Sequence, residues 1–215
     1  MSSPSEPASS PSGPGDAANR IAGAPISWGV CEVPGWGHQL APQRVLTEMR
    51  EVGLAATEVG PAGFLPAAPD ALARTLADHD LHAVGGFVPV VLHVPGADPV
   101  PEVDRVLDGF VAVGATTLVL SADSGLTGYD TRPTLDDEGW RTLLGNLDRL
   151  AARATERGIT AVLHPHVGTM VETGPEVFER AGVLVREGEA LGYPGWSRVT
   201  IGDSGENDRV IGALP

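Results

Sequence analysis

The sequence predicts an α/β fold in which parallel strands alternate with helices. Strand-like and helix-like stretches follow one another with short connections along most of the chain, which is typical of a parallel sheet with right-handed crossovers. A closed β/α barrel of the TIM type and an open doubly wound sheet both fit this alternation. No GxGxxG motif follows the first strand, which weakens the dinucleotide-binding sheet. A polar residue lies at the end of nearly every predicted strand, which favours a barrel, because its rim collects side chains from many strands. These residues are Ser27, Glu58, His93, Asp123, His164 and His166.

Apolar runs that end at turn residues define the elements of the first half of the chain. The first run has Pro25 near its start and leads into a loop rich in glycine and proline. Val45, Met49 and Val52 then recur at helical spacing, and Gly53 ends that helix. The predicted elements are a strand over 21–30, a loop over 31–40, a helix over 42–53, a strand over 54–60, a helix over 69–80 and a strand over 81–93.

The second half continues the same alternation. Its longest helix has an apolar stripe that includes Leu143, Leu147 and Leu150, and Gly158 ends it. The strand after it is rich in β-branched and apolar residues. The predicted elements are a helix over 100–113, a strand over 116–123, a helix over 135–157, a strand over 159–163, a helix over 174–192 and a strand over 197–202. Gly182 and Gly188 are the two positions at which the helix over 174–192 is expected to break.

Composition divides the chain into a domain and two tails. Residues 1–19 consist mainly of Ser, Pro, Gly and Ala and have almost nothing to bury, which predicts a disordered tail. Residues 20–202 are predicted to form one domain, since a chain of 215 residues that is 42% hydrophobic can bury a sizeable core. Residues 203–215 begin with a polar stretch and are predicted to be a loosely attached tail.

The charge and hydropathy of the chain exclude several classes of partner. The formal net charge is −14, and no basic stripe is present that would neutralise the phosphates of DNA or RNA. No run of about 18 apolar residues exists, so we expect no membrane span. The N-terminal segment has neither the basic nor the apolar region of a secretory signal. With Cys31 as the one cysteine, no internal disulfide can form, which is compatible with a cytoplasmic location.

The chain contains no lysine, because all 14 basic residues are arginine. Schiff-base aldol chemistry, a lysine-anchored pyridoxal cofactor and a P-loop each depend on a lysine amine. These three kinds of site are therefore excluded from this chain.

The stretch ITAVLHPHVGTMVE, residues 159–172, combines a buried strand with chemically active side chains. His164 and His166 lie two residues apart, and residues i and i+2 of an extended chain point to the same face. Glu172 follows after a Gly-Thr step. Two imidazoles and a carboxylate just beyond a buried strand are what a divalent metal or a general acid/base site needs. The alternative is a polar pair at a strand end that bonds only to the backbone.

Three segments carry a resemblance to a known family: PISWGVCEVPGWGHQL, RVLTEMREVGLAATEVGPAGFLP and HPHVGTMVE. They resemble inosose dehydratase, which belongs to the xylose-isomerase-like TIM-barrel group of sugar isomerases and epimerases. The resemblance covers residues 22–173. It implies an enzyme that uses a divalent metal (Mn, Co or Mg) to enolise a keto-sugar or an inosose. A small-molecule sugar or cyclitol is the implied partner.

The chain departs from the family pattern after Thr173, where the similarity stops before resuming at EALGYPGWSRVTIG. A complete barrel of this group has eight strands and about 250 residues, and its fifth to eighth strands end in metal ligands. Only the fifth-strand position is clear here, at His164 or His166, so we expect an incomplete ligand set. We expect an incomplete barrel of about five or six β/α units, through loss of two units or a changed reading frame. An open sheet edge would then favour homo-oligomers.

The predicted site residues divide into two roles. His164 and His166 are expected to bind the metal or polarise the carbonyl, and Glu58 is expected to take part in catalysis. Substrate contacts are predicted for Trp28, Trp36, Asp123 and Glu172. Purely structural roles are the alternatives, because carboxylates at strand ends also bond turn amides and tryptophans also fill cores.

Two functions of different class remain open on the sequence alone. The first is a metal-assisted lyase or isomerase that works next to the carbonyl of a keto-polyol. The second is a non-catalytic polyol-binding or assembly module of the same fold, and metal content together with turnover separates the two. An endonuclease of the related metal-dependent barrel group would need more ligands and a basic groove, which the acidic charge argues against.

Overall fold

The structure, a computed structural model, describes residues 21–31, 33, 35–177, 186–187 and 197–198. The tails predicted at 1–19 and 203–215 lie outside these residues, as does most of the strand predicted at 197–202. Within the described part of the chain, no helix is both long enough and apolar enough to cross a membrane.

Five parallel strands form one sheet, and their order in space is their order along the chain. They are β1 (Ala22–Gly23), β2 (Ala56–Glu58), β3 (His82–Val91), β4 (Thr117–Asp123) and β5 (Thr160–Leu163). The ladders that join β1 to β2, β2 to β3 and β4 to β5 are all parallel. Neighbouring parallel strands need crossover connections, which here contain helices. The predicted parallel β/α fold is therefore confirmed.

Four helices alternate with these strands, and each lies inside a predicted helix. They are α1 (Pro42–Glu51), α2 (Pro69–Ala77), α3 (Val100–Val113) and α4 (Asp137–Thr155). Helix α4 begins where the Asp136 carboxylate accepts a 2.8 Å hydrogen bond from the Gly139 N–H. This cap satisfies one of the amide donors that the first turn of a helix leaves unpaired.

The strand predicted over 21–30 is wrong beyond Gly23, because Pro25–Trp28 form a 3₁₀ helix. Proline has a fixed φ and lacks an N–H, which suits the first position of a helical turn better than the interior of a strand. The Gly29 N–H closes the turn with a 2.9 Å bond to the Ile26 carbonyl. Ser27 therefore lies in this turn and not at the end of a strand.

The helix predicted over 174–192 is contradicted where the structure describes its later part. Arg186–Glu187 form a short strand, β6, that pairs antiparallel with β7 at Ser197–Arg198. The sequence VLVRE around β6 is rich in β-branched residues, which favour a strand over a helix. Strand β7 starts where the last strand was predicted, but it belongs to this separate two-stranded sheet.

One compact unit contains the described residues up to Gly86 together with Asp108–Thr116. Its core includes one apolar face of α1 and one of α2, as the helical spacing of their apolar residues predicts. The buried side chains of these two helices are Val45, Leu46, Met49, Leu72 and Leu76.

The second compact unit contains Phe87–Leu107 and the described residues from Thr117 onward. Its core is formed by aliphatic side chains of α3, β4 and α4, each at most 2% exposed. They are Val103, Leu107, Leu118, Leu120, Leu143 and Leu150. On the surface of this unit, Asp104 of α3 pairs with Arg153 of α4 at 2.5 Å and with Arg157 at 3.1 Å. The hydrogen bond from Arg153 is the main reason that the pKa of Asp104 lies below its usual range.

Candidate active site

The ladder between β4 and β5 continues for one residue past Leu163 and fixes the backbone of His164. The His164 N–H donates to the Leu120 carbonyl at 2.7 Å. The hydroxyl of Ser121, which is fully buried, donates to the His164 carbonyl at 3.2 Å. Since both backbone groups of His164 bond to β4, this histidine is held at the carboxyl end of the parallel sheet.

A tight turn after β5 fixes the second histidine. The His166 N–H donates to the Val171 carbonyl at 3.1 Å, and its own carbonyl accepts a 2.7 Å bond from the Thr169 hydroxyl. The Met170 N–H donates to the Ala122 carbonyl at 2.7 Å. The turn is therefore closed on itself and attached to β4, which limits the positions open to His166.

The two imidazoles lie side by side, as their i, i+2 spacing predicts. The ring centroids of His164 and His166 are 5.8 Å apart, and the ring planes are tilted by 37°. Phe87 of β3 contacts both rings, at 5.5 Å from His164 and 5.9 Å from His166. Tyr129 packs edge-on against His166 at 5.8 Å. Two aromatic side chains thus flank the imidazole pair on an otherwise accessible surface.

The surroundings of the two rings make both of them suited to accept protons or to bind a metal. Partial burial, followed by the nearby charge of His166, lowers the pKa of His164, so His164 is neutral at pH 7. Nδ1 of His166 lies 2.9 Å from the Val167 carbonyl oxygen. Because a carbonyl can only accept, Nδ1 carries a hydrogen, which leaves Nε2 as the ring nitrogen that can bind a proton or a metal.

We expect the free energy of unfolding to decrease as the pH falls below about 6.5. Burial is the main cause that lowers the pKa of both His93 and His164 in the folded chain. At a pH just below the ordinary pKa of histidine, these two side chains therefore bind more protons in the unfolded chain than in the folded chain. Above that pKa they are uncharged in both states, so the folded chain keeps its full stability. Urea unfolding midpoints at about pH 7.5, 6.5 and 5.5 measure this effect. An unchanged or higher midpoint at the lowest pH contradicts it.

Glu172 takes part in an ion-pair cluster that supports the turn after β5. Its Oε2 accepts from the Gly168 N–H at 2.9 Å and lies 3.1 Å from Nε of Arg132. The same guanidinium donates to Glu176 at 2.6 Å. Burial alone would raise the pKa of Glu176, but hydrogen bonds from the Thr173 and Glu172 N–H groups and from Arg132 lower it overall. The contact of Glu172 with a substrate stays a prediction.

Asp123 ends β4 and stabilises the loop that follows it. Its Oδ1 accepts from the Gly125 N–H at 3.0 Å. Its charge also acts on His93, which follows β3: burial lowers the pKa of His93, and the carboxylate of Asp123 raises it by a smaller amount. Strands β3, β4 and β5 are neighbours in the sheet, and each is followed within two residues by a histidine or ends in an acid.

The remaining predicted site residues lie in the first compact unit. Glu58 is the last residue of β2 and is partly buried. The indole N–H of Trp28 donates to Glu48 of α1 at 2.9 Å, and Glu48 also pairs with Arg44 at 2.7 Å. Trp36 is 52% exposed in the loop before α1. Trp28 thus has a structural bond, and the substrate contacts of all three residues stay predictions.

The imidazole pair supplies two nitrogen donors of the kind that Zn²⁺ and related ions accept. A metal-binding histidine usually donates its other ring N–H to a carboxylate, a backbone carbonyl or water, and Nδ1 of His166 makes such a bond to a backbone carbonyl. Among the residues that the structure describes, no three His, Cys, Asp or Glu side chains are grouped closely enough to hold one ion. Within the described part of the chain, His164 and His166 are therefore two candidate nitrogen ligands.

Several residues around the imidazole pair were not predicted from the sequence. Phe87 lies in the middle of β3, and Tyr129 and Arg132 lie in the loop between β4 and α4. Glu176 follows the turn and bonds to Arg132. In the sequence, Tyr129 and Arg132 stand out only as an aromatic residue and an arginine in a loop of Gly, Thr and Asp. No pattern around Phe87 indicates that its side chain contacts residues after β5.

Comparison with proteins of known sequence shows relatives along most of the chain. The rhizopine catabolism protein MocC of Rhizobium meliloti is 32% identical over 188 residues, which are 80% of this chain and 56% of that protein. The inosose dehydratase of Bacillus velezensis is 32% identical over 161 residues, or 72% of this chain and 53% of that protein. This chain therefore spans about half the length of these relatives. No family model matches it.

A shorter similarity connects the chain to a protein with a different name. Over 67 residues, which are 31% of this chain, it is 58% identical to a histidinol-phosphate aminotransferase of Rubrobacter xylanophilus. Those residues cover 19% of the Rubrobacter protein.

Solved structures with a similar fold include two that hold metal ions. A xylose isomerase-like TIM barrel protein from Mycobacterium smegmatis in complex with magnesium superposes with a TM-score of 0.54 at 17% identity, over 74% of this chain and 59% of that one. The IOLI protein with a zinc atom superposes with a TM-score of 0.54 at 14% identity, over 77% and 59% of the two chains. At these identities the similarity shows the fold alone.

Proposed function

Because the chain is homologous to the inosose dehydratases and has the fold of the xylose-isomerase-like TIM-barrel proteins, we propose that it is a sugar-modifying enzyme. Its substrate is a keto-sugar or a keto-cyclitol such as an inosose. The enzyme removes the proton next to the carbonyl. Loss of a hydroxyl as water then gives the dehydratase reaction. Return of the proton to the neighbouring carbon gives the isomerase reaction, and its return to the opposite face of the same carbon gives the epimerase reaction.

The observation that carries this proposal is the imidazole pair at the carboxyl end of β5. Its rings lie 5.8 Å apart, and burial lowers the pKa of His164, which leaves the lone pair of this ring available at neutral pH. His166 presents Nε2 as a second acceptor or ligand, since its Nδ1 bonds to Val167. Proton removal next to a carbonyl needs a base of this kind together with groups that stabilise the resulting enediolate oxygen.

The other predicted site residues keep the roles that the sequence predicts for them. Glu58 would take part in catalysis, and the carboxylates of Asp123 and Glu172 would accept hydrogen bonds from substrate hydroxyls. The indole rings of Trp28 and Trp36 would contact the apolar face of the sugar ring. Glu172 is the weakest of these assignments, because Arg132 and the Gly168 N–H already bond to one of its oxygens.

A divalent ion held by His164 or His166, with ligands beyond that residue, would supply Lewis-acid stabilisation of the enediolate oxygen. Because a neutral imidazole has a single lone pair, the other histidine of the pair would keep its lone pair and accept the proton. Structural neighbours bind magnesium or zinc, which supports a divalent cofactor of this chain. The proton transfer described above is assigned to the side chains and not to the ion.

The aminotransferase name of the Rubrobacter protein does not extend to this chain. A pyridoxal cofactor attached through a lysine has no attachment residue here, because the 215 residues include no lysine. The short similarity therefore concerns shared residues and not a shared reaction.

Proton exchange in D₂O tests the proposal directly. The full chain is incubated with an inosose, with and without added Mn²⁺, Co²⁺ or Mg²⁺, and loss of the proton signal next to the carbonyl is followed by NMR. We expect exchange at least about 100-fold faster than in the protein-free sample, which is the lower end for acid/base catalysis. Dehydration is followed in the same sample by the ultraviolet absorbance of its conjugated product.

Two other outcomes of this experiment are informative. If the chain binds myo-inositol but exchanges no proton under any metal condition, it is the non-catalytic polyol-binding module that the sequence left open. If it neither exchanges the proton nor binds myo-inositol, both the enzymatic and the polyol-binding functions are wrong.

A further inference from the structure

His93, just after the end of β3, is a half-buried histidine to which no role has been assigned above. Its backbone is well fixed, because the preceding carbonyl, that of Leu92, accepts a 2.8 Å bond from the buried amide of Asn146. Strands β3 and β4 are neighbours in the parallel sheet, so His93 and Asp123 come to the same edge of that sheet. The imidazole is close enough to Asp123 for the carboxylate to act on its charge.

The two ring nitrogens of His93 are in different situations. Nδ1 is buried and is the one buried side-chain nitrogen or oxygen in the described part of the chain that lacks a hydrogen-bond partner. Nε2 is not buried in this way. An orphaned buried N–H is rarer in proteins than an under-satisfied acceptor, so the lone pair belongs on Nδ1 and the hydrogen on Nε2.

This tautomer makes His93 a neutral hydrogen-bond donor at the sheet edge. Burial keeps the ring uncharged and outweighs the smaller opposite effect of Asp123. A neutral N–H stabilises an oxygen that gains negative charge without giving up its proton. Beside it, Asp123 can only accept hydrogen bonds when ionised. The donor on His93 and the acceptor on Asp123 lie at the same edge of the sheet. Together they match an oxygen and a hydroxyl hydrogen of a polyol.

The geometry points to His93 as a further substrate-contacting residue, whose Nε2–H donates a hydrogen bond to a carbonyl or hydroxyl oxygen of the keto-polyol that Asp123 also contacts. This assignment rests on the proposed function of the site. In this role His93 is a catalytic residue that donates a hydrogen bond to the substrate oxygen. The imidazoles of His164 and His166 instead act as proton acceptors or metal ligands.

Three substitutions at this position separate a donor role from a packing role. Gln places an amide N–H near the position of the imidazole Nε2, Asn places one near Nδ1, and Leu fills space without a donor. We expect His93→Gln to keep kcat/KM for an inosose within about 10-fold of the natural chain. We expect His93→Leu and His93→Asn to lose at least about 100-fold, the usual effect of removing an oxyanion donor. Thermal unfolding of each variant shows whether the loss follows stability, and equal losses in Gln and Leu variants overturn the assignment.

The tautomer is measured independently of turnover. In long-range ¹H–¹⁵N spectra of the full chain, the His93 signals are identified by their loss in His93→Gln. We expect an unprotonated Nδ1, a protonated Nε2, and a change in the Nε2 shift when myo-inositol is added. A protonated Nδ1, or an Nε2 shift that does not respond to myo-inositol, refutes the role of His93. If the His93 signals behave as expected but the natural chain does not exchange the inosose proton, the proposed reaction is refuted. The contact of His93 with a polyol is then still supported.

Discussion

Replacing His164 or His166 by glutamine is expected to lower kcat/KM for an inosose by at least about 100-fold. Glutamine keeps a neutral polar group of similar reach, but it cannot accept a proton at neutral pH. The backbone bonds that hold both residues to β4 and to the turn are unaffected by the change. The double variant should be little worse than the weaker single variant, because residues that act together in one step contribute non-additively.

His82→Gln is the matched control for these variants. His82 is the first residue of β3, at the amino end of the sheet, and it pairs in register with Ala56 of β2. We expect it to keep the activity of the natural chain. Steady-state kinetics and thermal unfolding of all four proteins measure the effect. A double variant with undiminished kcat/KM would show that the imidazole pair is not the site of proton removal.

The parallel fold could be predicted because its signals are local. The helical spacing of Val45 and Met49, and the glycines that end the helices, depend on a few neighbouring residues only. The first strand was wrong for the same reason. The apolar run 21–30 has no spacing that separates a strand from a turn, and the decisive feature is the proline that starts the 3₁₀ helix.

The candidate site was predictable only in part, because its side chains come from distant segments. The pairing of His164 with His166 follows from two-residue spacing in an extended chain. Phe87 contacts these rings through tertiary packing, which no local pattern encodes. Arg132 similarly bonds to Glu176 across 44 residues of sequence. The sequence therefore predicted that the two imidazoles lie together, but not the residues that pack against them or support their turn.

Gly168→Ala adds one methyl group to the turn that carries His166. Among such additions in this turn, it is expected to lower the free energy of unfolding most. Gly168 has a φ of 74°, in the left-handed region that costs other residues about 1–2 kcal/mol. A Cβ there would collide with the carbonyl oxygen of Tyr129 and lie 2.9 Å from its carbonyl carbon and 3.0 Å from Cα of Asp130. These are backbone atoms, so no rotamer change relieves the contact, and overpacking adds about 1–3 kcal/mol.

Gly158→Ala separates the two contributions. Gly158 has a nearly identical φ of 73°, but no atom lies within 4 Å of the position that its Cβ would take. This variant should lose only the cost of the left-handed conformation, about 1–2 kcal/mol. Gly168→Ala should lose about 2–5 kcal/mol in total, which corresponds to a decrease in Tm on the order of 10 °C for a chain of this size. Because the collision displaces the turn, Gly168→Ala should also impair turnover, whereas Gly158→Ala should not. Equal unfolding midpoints for the two variants would mean that the close approach of residues 129–130 to Gly168 does not exist in solution.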